Sequence, residues 1–150
     1  MAIADWTYEG DTTYCIPSIQ SSGGNPGGCI LYDIDATSST PPVSGGYYRN
    51  VTIPSGYDKY MLSFDIYPYW PTGPGKNIFL YIVKINDIKI YEWDVYERIN
   101  AWSTITGDIS NAITVDASNK IHIGWECRST NNAIIDMKID NVKIIGLNQI

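Results

Sequence analysis

Aromatic side chains are concentrated in two stretches of the sequence, DIYPYWPTGPG and KIYEWDVY. A flat ring can stack on the C–H face of a sugar while nearby acids and amides hydrogen-bond its hydroxyls, and a preformed surface of this kind needs little ordering when a ligand binds. In the first stretch, proline and glycine would hold the rings stiffly. The sequence therefore predicts ligand-binding residues with sugar-recognition chemistry at Tyr67, Tyr69, Trp70 and Trp93.

The aromatic composition of the whole chain has two interpretations. Twelve Tyr and five Trp residues accompany only two Phe residues, and Tyr and Trp suit half-wet binding surfaces because each joins an apolar ring to a polar group. Equally, these residues could be strand formers on a two-faced sheet, and a place in the core is the alternative for Trp93. Trp6, Trp102 and Trp125 are assigned mainly to the core or to strand ends.

Motifs of nucleophilic or nucleotide chemistry are absent from the sequence. No G-x-S-x-G, P-loop or G-x-G-x-x-G motif follows a strand-like segment. His122 is the only histidine, and its place between two apolar residues predicts an outward-pointing surface side chain. A glycosidase pair of carboxylates about 5 to 10 Å apart is compatible with the composition. We nevertheless predict a non-enzyme, because a short chain without a nucleophile or metal motif is more often a binding or structural unit.

The charge and hydropathy of the sequence argue against two classes of partner, nucleic acids and membranes. Ten basic and sixteen acidic residues give a net charge of −6, and no cluster of Lys or Arg supplies the basic surface that nucleic-acid binding requires. No apolar run approaches the roughly 20 residues of a membrane helix, so no membrane insertion is expected. The start MAIADW lacks the features of a secretory signal, although it could lie inside a longer exported protein.

Three cysteines, Cys15, Cys29 and Cys127, form no C-x-x-C motif. Zinc and thioredoxin-type chemistry are therefore not indicated. Cys15 and Cys29 flank SIQSSGGNPGG, which we interpret as a loop that a disulfide could close. Three reduced cysteines, some of them buried, are the alternative, and the role of Cys127 is left open.

Short segments separated by Gly, Pro and Ser clusters predict an all-β protein. The strand candidates are CILYDID, YYRNVTI, YMLSFDIY, NIFLYIVKI, KIYEWDVY, KIHIGWEC and AIIDMKIDNVKII, with a turn at Asn86-Asp87. NIFLYIVKI is apolar on both faces, as in a central strand. Alternation in two other candidates predicts one apolar face each: Tyr60, Leu62, Phe64 and Ile66 in YMLSFDIY, and Ile121, Ile123, Trp125 and Cys127 in KIHIGWEC. The length predicts a single domain over residues 1–150. Many strands joined by loops favour a two-sheet antiparallel β-sandwich of jelly-roll type. An immunoglobulin-like sandwich is the second choice, because the Cys…Trp…Cys spacing of that fold is absent.

The stretch IDNVKII breaks the alternation expected of its strand. Ile135, Met137 and Ile139 alternate with polar residues, but the apolar residues restart at Val142 and Ile144, with Asp140 and Asn141 between the two sets. A slip of one residue exchanges the two faces of a strand unless a bulge absorbs it. The sequence therefore predicts a β-bulge at Asp140-Asn141.

Several short motifs together resemble a known family: DWTYEGD, GGNPGG, SFDIY, a Trp followed by GDIS, and the closing IDNVKI. They look like non-catalytic carbohydrate-binding modules and MAM-like or galactose-binding-like jelly rolls of extracellular enzymes and adhesins. The resemblance spans nearly the whole chain. It implies a jelly-roll fold, a polysaccharide or glycan as ligand, and an extracellular or cell-surface location. Sugar sites vary in position among such domains, so the resemblance transfers them only as regions.

The resemblance also implies a structural calcium ion. In many such domains an acidic residue near the N-terminus and the Asp of the closing strand share this ion. Here that points to Glu9 and Asp140, with Asp11 or Asp35 as weaker partners of Asp140. A bulge would aim a carboxylate and main-chain carbonyls at a cation that prefers about 6 to 8 oxygen ligands. A bulge that only discourages strand aggregation is the alternative.

These observations predict a non-catalytic carbohydrate-binding module, which a parent enzyme could carry. Highly anionic polysaccharides are disfavoured as ligands because the chain itself is acidic. The alternative is a structural or adhesive surface protein, such as a filament, surface-layer or attachment domain, that self-associates or binds protein.

Overall fold

Two antiparallel β-sheets form the protein in the computed structural model, which describes residues 5–25, 27–71 and 75–149. The strands are β1 (Thr7–Gly10), β2 (Cys15–Gly24), β3 (Gly27–Asp35), β4 (Val43–Thr52), β5 (Lys59–Tyr69), β6 (Phe79–Ile85), β7 (Ile88–Asp94), β8 (Ser103–Asp108), β9 (Ser118–Cys127) and β10 (Ile134–Leu147). The first sheet has the order β1-β4-β9-β6-β7, and the second has the order β2-β3-β10-β5-β8. The predicted all-β jelly-roll sandwich is confirmed. Within the described ranges no helix could span a membrane.

The core lies between the sheets because apolar and polar residues alternate along most strands. The predicted inner face of β5, which consists of Tyr60, Leu62, Phe64 and Ile66, is buried. Strand β6 is apolar on both faces and lies between β9 and β7, as its sequence indicates. Each large apolar side chain that is buried contributes roughly 1.5–3 kcal/mol, so this layer is the main source of stability.

The segment between Cys15 and Cys29 belongs to a hairpin, where the sequence analysis expected a loop. Strands β2 and β3 pair from Cys15 opposite Ile34 to Gly24 opposite Gly27. The polar residues of β2 are compatible with a strand because an edge strand can face water. Cys15 shares the side of its partner Ile34, whereas Cys29, five positions before Ile34 on β3, points to the opposite side. All three cysteines are buried, and none forms a disulfide. A disulfide between Cys15 and Cys29 is therefore not formed.

The bulge predicted in IDNVKII is present. The pairing of β10 with β5 shifts between Asp140 and Lys143, and Asn141 has a left-handed backbone conformation with φ of 50°. Ile139 and Ile144 consequently both pack against the core, although the regular alternation of a strand would turn them to opposite faces.

Candidate functional site

The outward side of the second sheet brings aromatic rings together with acids and amides. Residues opposite one another on neighbouring strands point the same way, with Cβ atoms about 4.5–5.5 Å apart. One row across β3, β10 and β5 contains Asp33, Asp136 and Tyr69, and the next contains Leu31, Lys138 and Tyr67. Together with adjoining side chains these rows form a surface that we term the Tyr67 face. Its residues are Leu31, Asp33, Asp65, Tyr67, Tyr69, Trp102, Thr104, Asp136, Lys138 and Asn141.

Tyr67 and Trp102 form the aromatic centre of this face. Their ring centroids are 5.4 Å apart and their planes meet at 63°, an edge-to-face arrangement that the charge distribution of aromatic rings favours. Both side chains are half-buried, so their rings are held in place while part of each is accessible. Lys138 Nζ lies 5.7 Å from the Tyr67 centroid, and Tyr69 is 46% exposed. The face thus contains two of the sequence-predicted residues, Tyr67 and Tyr69.

Two carboxyl groups, Asp33 and Asp136, lie opposite each other beside Tyr69. Burial raises the pKa of Asp136, and the charge and hydrogen bond of Asp33 raise it further, while Lys138 opposes the shift. A carboxyl group with a raised pKa holds its proton over a wider pH range, and it then donates as well as accepts hydrogen bonds. The pair therefore offers both kinds of partner that a hydroxyl group needs.

The bulge in β10 completes one end of the face. Asn141 Nδ2 donates to Asn25 O and, over 2.7 Å, to Asp65 Oδ2. Asp65 Oδ1 accepts a hydrogen bond from Thr104 Oγ1 at 2.6 Å. Asp140 Oδ2 accepts the backbone N–H of Asn25 at 2.6 Å. The bulge therefore joins the turn between β2 and β3 to the sheet and fixes the orientation of the Asp65 carboxylate.

Trp70 lies in the core, which corrects its predicted place at a ligand surface. The side chain is 1% exposed, its ring packs edge to face on Phe79 with centroids 5.3 Å apart, and its Nε1 donates to Asn132 O at 2.9 Å. Trp70 lies four positions after the buried Ile66, so both side chains point to the same face, whereas Tyr69 lies three positions after it and points outward. The alternation of β5 therefore predicts correctly that Trp70 is buried and Tyr69 is exposed. The neighbouring proline and glycine residues do not bring Trp70 to the surface.

Trp93 lies at the margin of the core and belongs to the first sheet. Its ring stacks on Tyr91 with centroids 5.1 Å apart and meets Phe64 edge to face at 5.8 Å. The side chain is half-buried and points toward the space between the sheets. The structure therefore follows the core alternative for Trp93 and does not bring it to the Tyr67 face.

Trp102 is the aromatic residue of the face that sequence reasoning missed. The sequence assigns it to the core or a strand end, and it lies directly before β8. Trp102 lies three positions before the buried Ile105. Its side chain therefore points to the opposite face, outward from the core. The sequence of β8, STITGD, has Ile105 as its one large apolar residue, so its alternation gives little signal of a strand.

Glu9 and Asp140 point away from the sandwich on opposite sides, so they do not come together as the predicted metal ligands. Glu9 projects from the first sheet, where its Oε2 accepts from Lys120 Nζ at 2.9 Å and its Oε1 lies 2.9 Å from His122 Nδ1. Asp140 projects from the second sheet and accepts two backbone N–H groups at 2.6 and 2.7 Å. Because packed sheets stand about 10 Å apart, these two carboxylates cannot ligate one shared ion.

The weaker metal candidates are engaged in local turns. Asp11 Oδ2 accepts the backbone N–H of Tyr14 at 2.8 Å, and Asp35 Oδ1 accepts from Thr37 Oγ1 at 2.7 Å. Across residues 5–25, 27–71 and 75–149, no group of three or more His, Cys, Asp or Glu side chains is arranged to hold a metal ion. The predicted Glu9–Asp140 arrangement is therefore not formed, and the calcium ion itself stays a prediction.

His122 points outward as predicted, but it is not an ordinary surface residue because it is 4% exposed. Gly46 and Gly124 leave the room that its ring occupies: a Cβ at Gly46 would lie 2.7 Å from His122 Nε2. Burial lowers the pKa of His122 and outweighs the opposing effect of Glu9. Although partial burial opposes it, the hydrogen bonds of Lys120 and His122 hold the pKa of Glu9 below its ordinary value. The contacts of Glu9 on β1 with Lys120 and His122 on β9 therefore link the two strands.

No protein-family model and no curated protein matches the sequence. The structure, in contrast, is similar to several solved carbohydrate-binding modules. TmCBM61, solved in complex with β-1,4-galactotriose, has a TM-score of 0.62 and 16% sequence identity over 96% of this chain and 90% of that one. The family 11 module of the cellulosomal cellulase Lic26A-Cel5E of Clostridium thermocellum has a TM-score of 0.58 and 17% identity over 97% and 90%.

A third similar structure is CBM28, a module described as specific for non-crystalline cellulose. Its TM-score is 0.61 with 13% identity over 95% of this chain and 88% of that one. Identities this low establish the fold alone, because one fold hosts many ligands. The chain therefore has the jelly-roll fold of carbohydrate-binding modules, and the resemblance that its sequence motifs suggested is confirmed at the level of the fold.

Proposed function

We propose that the protein is a non-catalytic carbohydrate-binding module that recognises a polysaccharide on the Tyr67 face. The observation that carries this proposal is the position of the Tyr67–Trp102 ring pair in the same surface as the Asp33–Asp136 carboxyl pair. The rings would stack on the C–H faces of sugar units, and the acids and amides would hydrogen-bond the hydroxyls. The fold shared with a module crystallised with β-1,4-galactotriose supports this reading.

The charges of the Tyr67 face favour a neutral glycan. Asp33, Asp65 and Asp136 contribute three carboxyl groups, and Lys138 is the one cation among the residues that define the face. A uronate-rich or sulfated polymer would be repelled by this surface. The face is an open side of a sheet, so it suits an internal stretch of a polysaccharide better than a chain end.

A glycan array of neutral and acidic polysaccharides, probed with the purified protein, tests the proposal. We expect selective binding to neutral glycans, and titration calorimetry then gives the affinity. Absence of binding to every glycan on the array would contradict the proposal. An extracellular or cell-surface location, where such polysaccharides are found, and a parent enzyme or adhesin that carries the module belong to the same proposal.

A structural calcium ion near Asp140 is a separate proposal that comes from the sequence motifs. A ligand that binds only the folded state must raise its stability. A melting temperature that rises with calcium chloride and falls with EDTA would support the ion. A melting temperature indifferent to both would contradict it and leave the glycan proposal untouched.

A structural or adhesive role has one supporting observation of its own. Ile16 is 69% exposed and lies on β2, an edge strand of the second sheet. An edge strand presents unpaired backbone groups, and an exposed apolar side chain beside them favours pairing with another copy. Size-exclusion chromatography separates the two functions, since a self-associating subunit elutes as a dimer or larger species and a binding module elutes as a monomer.

A further inference from the structure

A cavity opens between the two sheets, and none of its lining residues belongs to the Tyr67 face. This lateral cavity has a volume of about 390 Å³, which lies in the range of about 300 to 1,000 Å³ typical of small-molecule sites. Three aromatic residues, Trp6, Tyr57 and Tyr60, line it together with aliphatic side chains of β4, β5, β9 and β10. The lining is therefore mainly apolar.

The cavity exists because both sheets lose a strand at the same end of the sandwich. Strand β1 pairs with β4 only at residues 45–48, and β3 pairs with β10 only at residues 134–139. In the part of the chain that the structure describes, residues 49–52 and 142–147 have no further strand beside them on that side. The space between these two exposed edges leads directly to the core.

Trp6 supplies the polar group that makes the cavity more than an apolar gap. The side chain is 8% exposed, and no acceptor among the described residues lies within hydrogen-bonding distance of its buried Nε1. A buried N–H group without a partner is costly and calls for a partner outside the fold. Because Nε1 has almost no exposed surface, a ligand acceptor would reach it only after the indole ring shifts.

Arg49 is one of the two basic residues among the described lining of the same site. It lies in the inward phase of β4 and lines the cavity, and its Nη2 is 3.3 Å from Asp5 Oδ2. This single, partly exposed ion pair leaves other guanidinium N–H donors available. None of the described residues that line the cavity is acidic. Lys143 also lines the cavity. Because Asp5 balances the charge of Arg49, Lys143 leaves the site with a net positive charge, which favours an anionic group.

We propose that the lateral cavity binds a small amphipathic carboxylate, such as a short fatty acid. Its apolar chain would contact the aliphatic lining, and its carboxylate would accept hydrogen bonds from Arg49 and, after a shift of the indole ring, from Trp6 Nε1. The Trp6 N–H favours a ligand with a hydrogen-bond acceptor, and the Arg49 guanidinium favours a negatively charged one. The aliphatic lining favours a ligand with an apolar chain. This site is independent of the Tyr67 face and of the proposed glycan function.

Titration of octanoate into the full chain, followed by the indole N–H resonances of the five Trp residues, tests the proposal. The Trp6 resonance is assigned by its loss in Trp6→Phe. We expect a saturable shift of this resonance, no shift of the Trp102 resonance, and a higher melting temperature with octanoate. If Trp6→Phe does not fold, variants of the other four Trp residues assign the signal by elimination.

Matched variants and ligands separate the contributions. Arg49→Gln should weaken octanoate binding about fivefold, as expected for a partly exposed charge pair, while Arg98→Gln, outside the cavity, should leave it unchanged. Octanamide, which keeps the chain and loses the charge, should bind about fivefold more weakly than octanoate. Absence of a saturable shift, equal binding of octanamide, or unchanged affinity in Arg49→Gln would overturn the proposal. Glycan binding is measured separately, so either function can fail alone.

Discussion

The ring of Trp102 meets the ring of Tyr67 edge to face at a centroid distance of 5.4 Å. This contact joins the residue before β8 to the outward phase of β5 and fixes both rings at the surface of the second sheet. Two side chains that hold each other in place lose little conformational entropy when a ligand stacks on them. The pair is therefore the anchor of the proposed glycan surface.

The neighbours Tyr69 and Trp70 should respond in opposite ways to truncation. Trp70→Ala removes a buried ring and its hydrogen bond to Asn132 O, which should lower the free energy of unfolding by about 3–5 kcal/mol. Tyr69→Ala removes an exposed ring and should change it by less than about 0.5 kcal/mol. Urea denaturation measures both. A stable Trp70→Ala variant would contradict the assignment of Trp70 to the core.

The carboxyl pair predicts a pH dependence of stability. Because burial and Asp33 raise the pKa of Asp136 in the folded state, the folded protein holds this proton more tightly than the unfolded chain does. Stability therefore falls as pH rises from the ordinary Asp pKa through the raised one. Asp33→Asn removes the like charge, so its melting temperature should exceed that of the wild type at neutral pH.

Melting curves recorded from about pH 4 to pH 7 check this prediction, since the range begins near the ordinary pKa of Asp. Asp33→Asn should give a flatter profile than the wild type, whereas Glu97→Gln, an exposed acid outside the Tyr67 face, should leave the profile unchanged. Parallel profiles for Asp33→Asn and the wild type would show that the two carboxyl groups are not coupled.

The bulge at Asn141 should tolerate glycine better than alanine. Both substitutions lose the hydrogen bonds to Asn25 O and Asp65 Oδ2, but only alanine adds the steric cost of a Cβ at a φ of 50°. The left-handed conformation costs a residue with a Cβ about 1–2 kcal/mol. Asn141→Ala should therefore unfold at a lower urea concentration than Asn141→Gly. Equal midpoints would mean that the backbone relaxes and the bulge is not fixed.

Local patterns were sufficient to predict most of the fold. The alternation in β5 and β9 and the apolar run in β6 indicated the buried faces correctly, and the slip between Ile139 and Val142 indicated the bulge. Asn86 and Asp87, predicted as a turn, have φ values of 52° and 66°, as a tight hairpin turn requires. The polar edge strand β2 was missed because an exposed edge needs few apolar residues to form.

The candidate site was predictable only in part, because it depends on pairing between distant strands. Tyr67 and Tyr69 follow from the period of β5, but the partners Asp33, Asp136 and Trp102 reach them through the register of β3, β10 and β8. No single segment encodes that register. The pairing of Glu9 with Asp140 failed for the same reason, since strand order places them on different sheets.

Titration of a neutral polysaccharide, chosen from the array, into Trp102→Ala tests the central claim most directly. Tyr48→Ala is the matched control, because Tyr48 is a half-buried ring beside Lys120 on the opposite outer face. Truncation of a central aromatic anchor often costs more than 1 kcal/mol of binding free energy, so we expect Trp102→Ala to weaken binding about tenfold or more. Tyr48→Ala should bind as the wild type does, with both variants folded. Unchanged affinity in Trp102→Ala, or an equal loss in both variants, would contradict the assignment of glycan binding to the Tyr67 face.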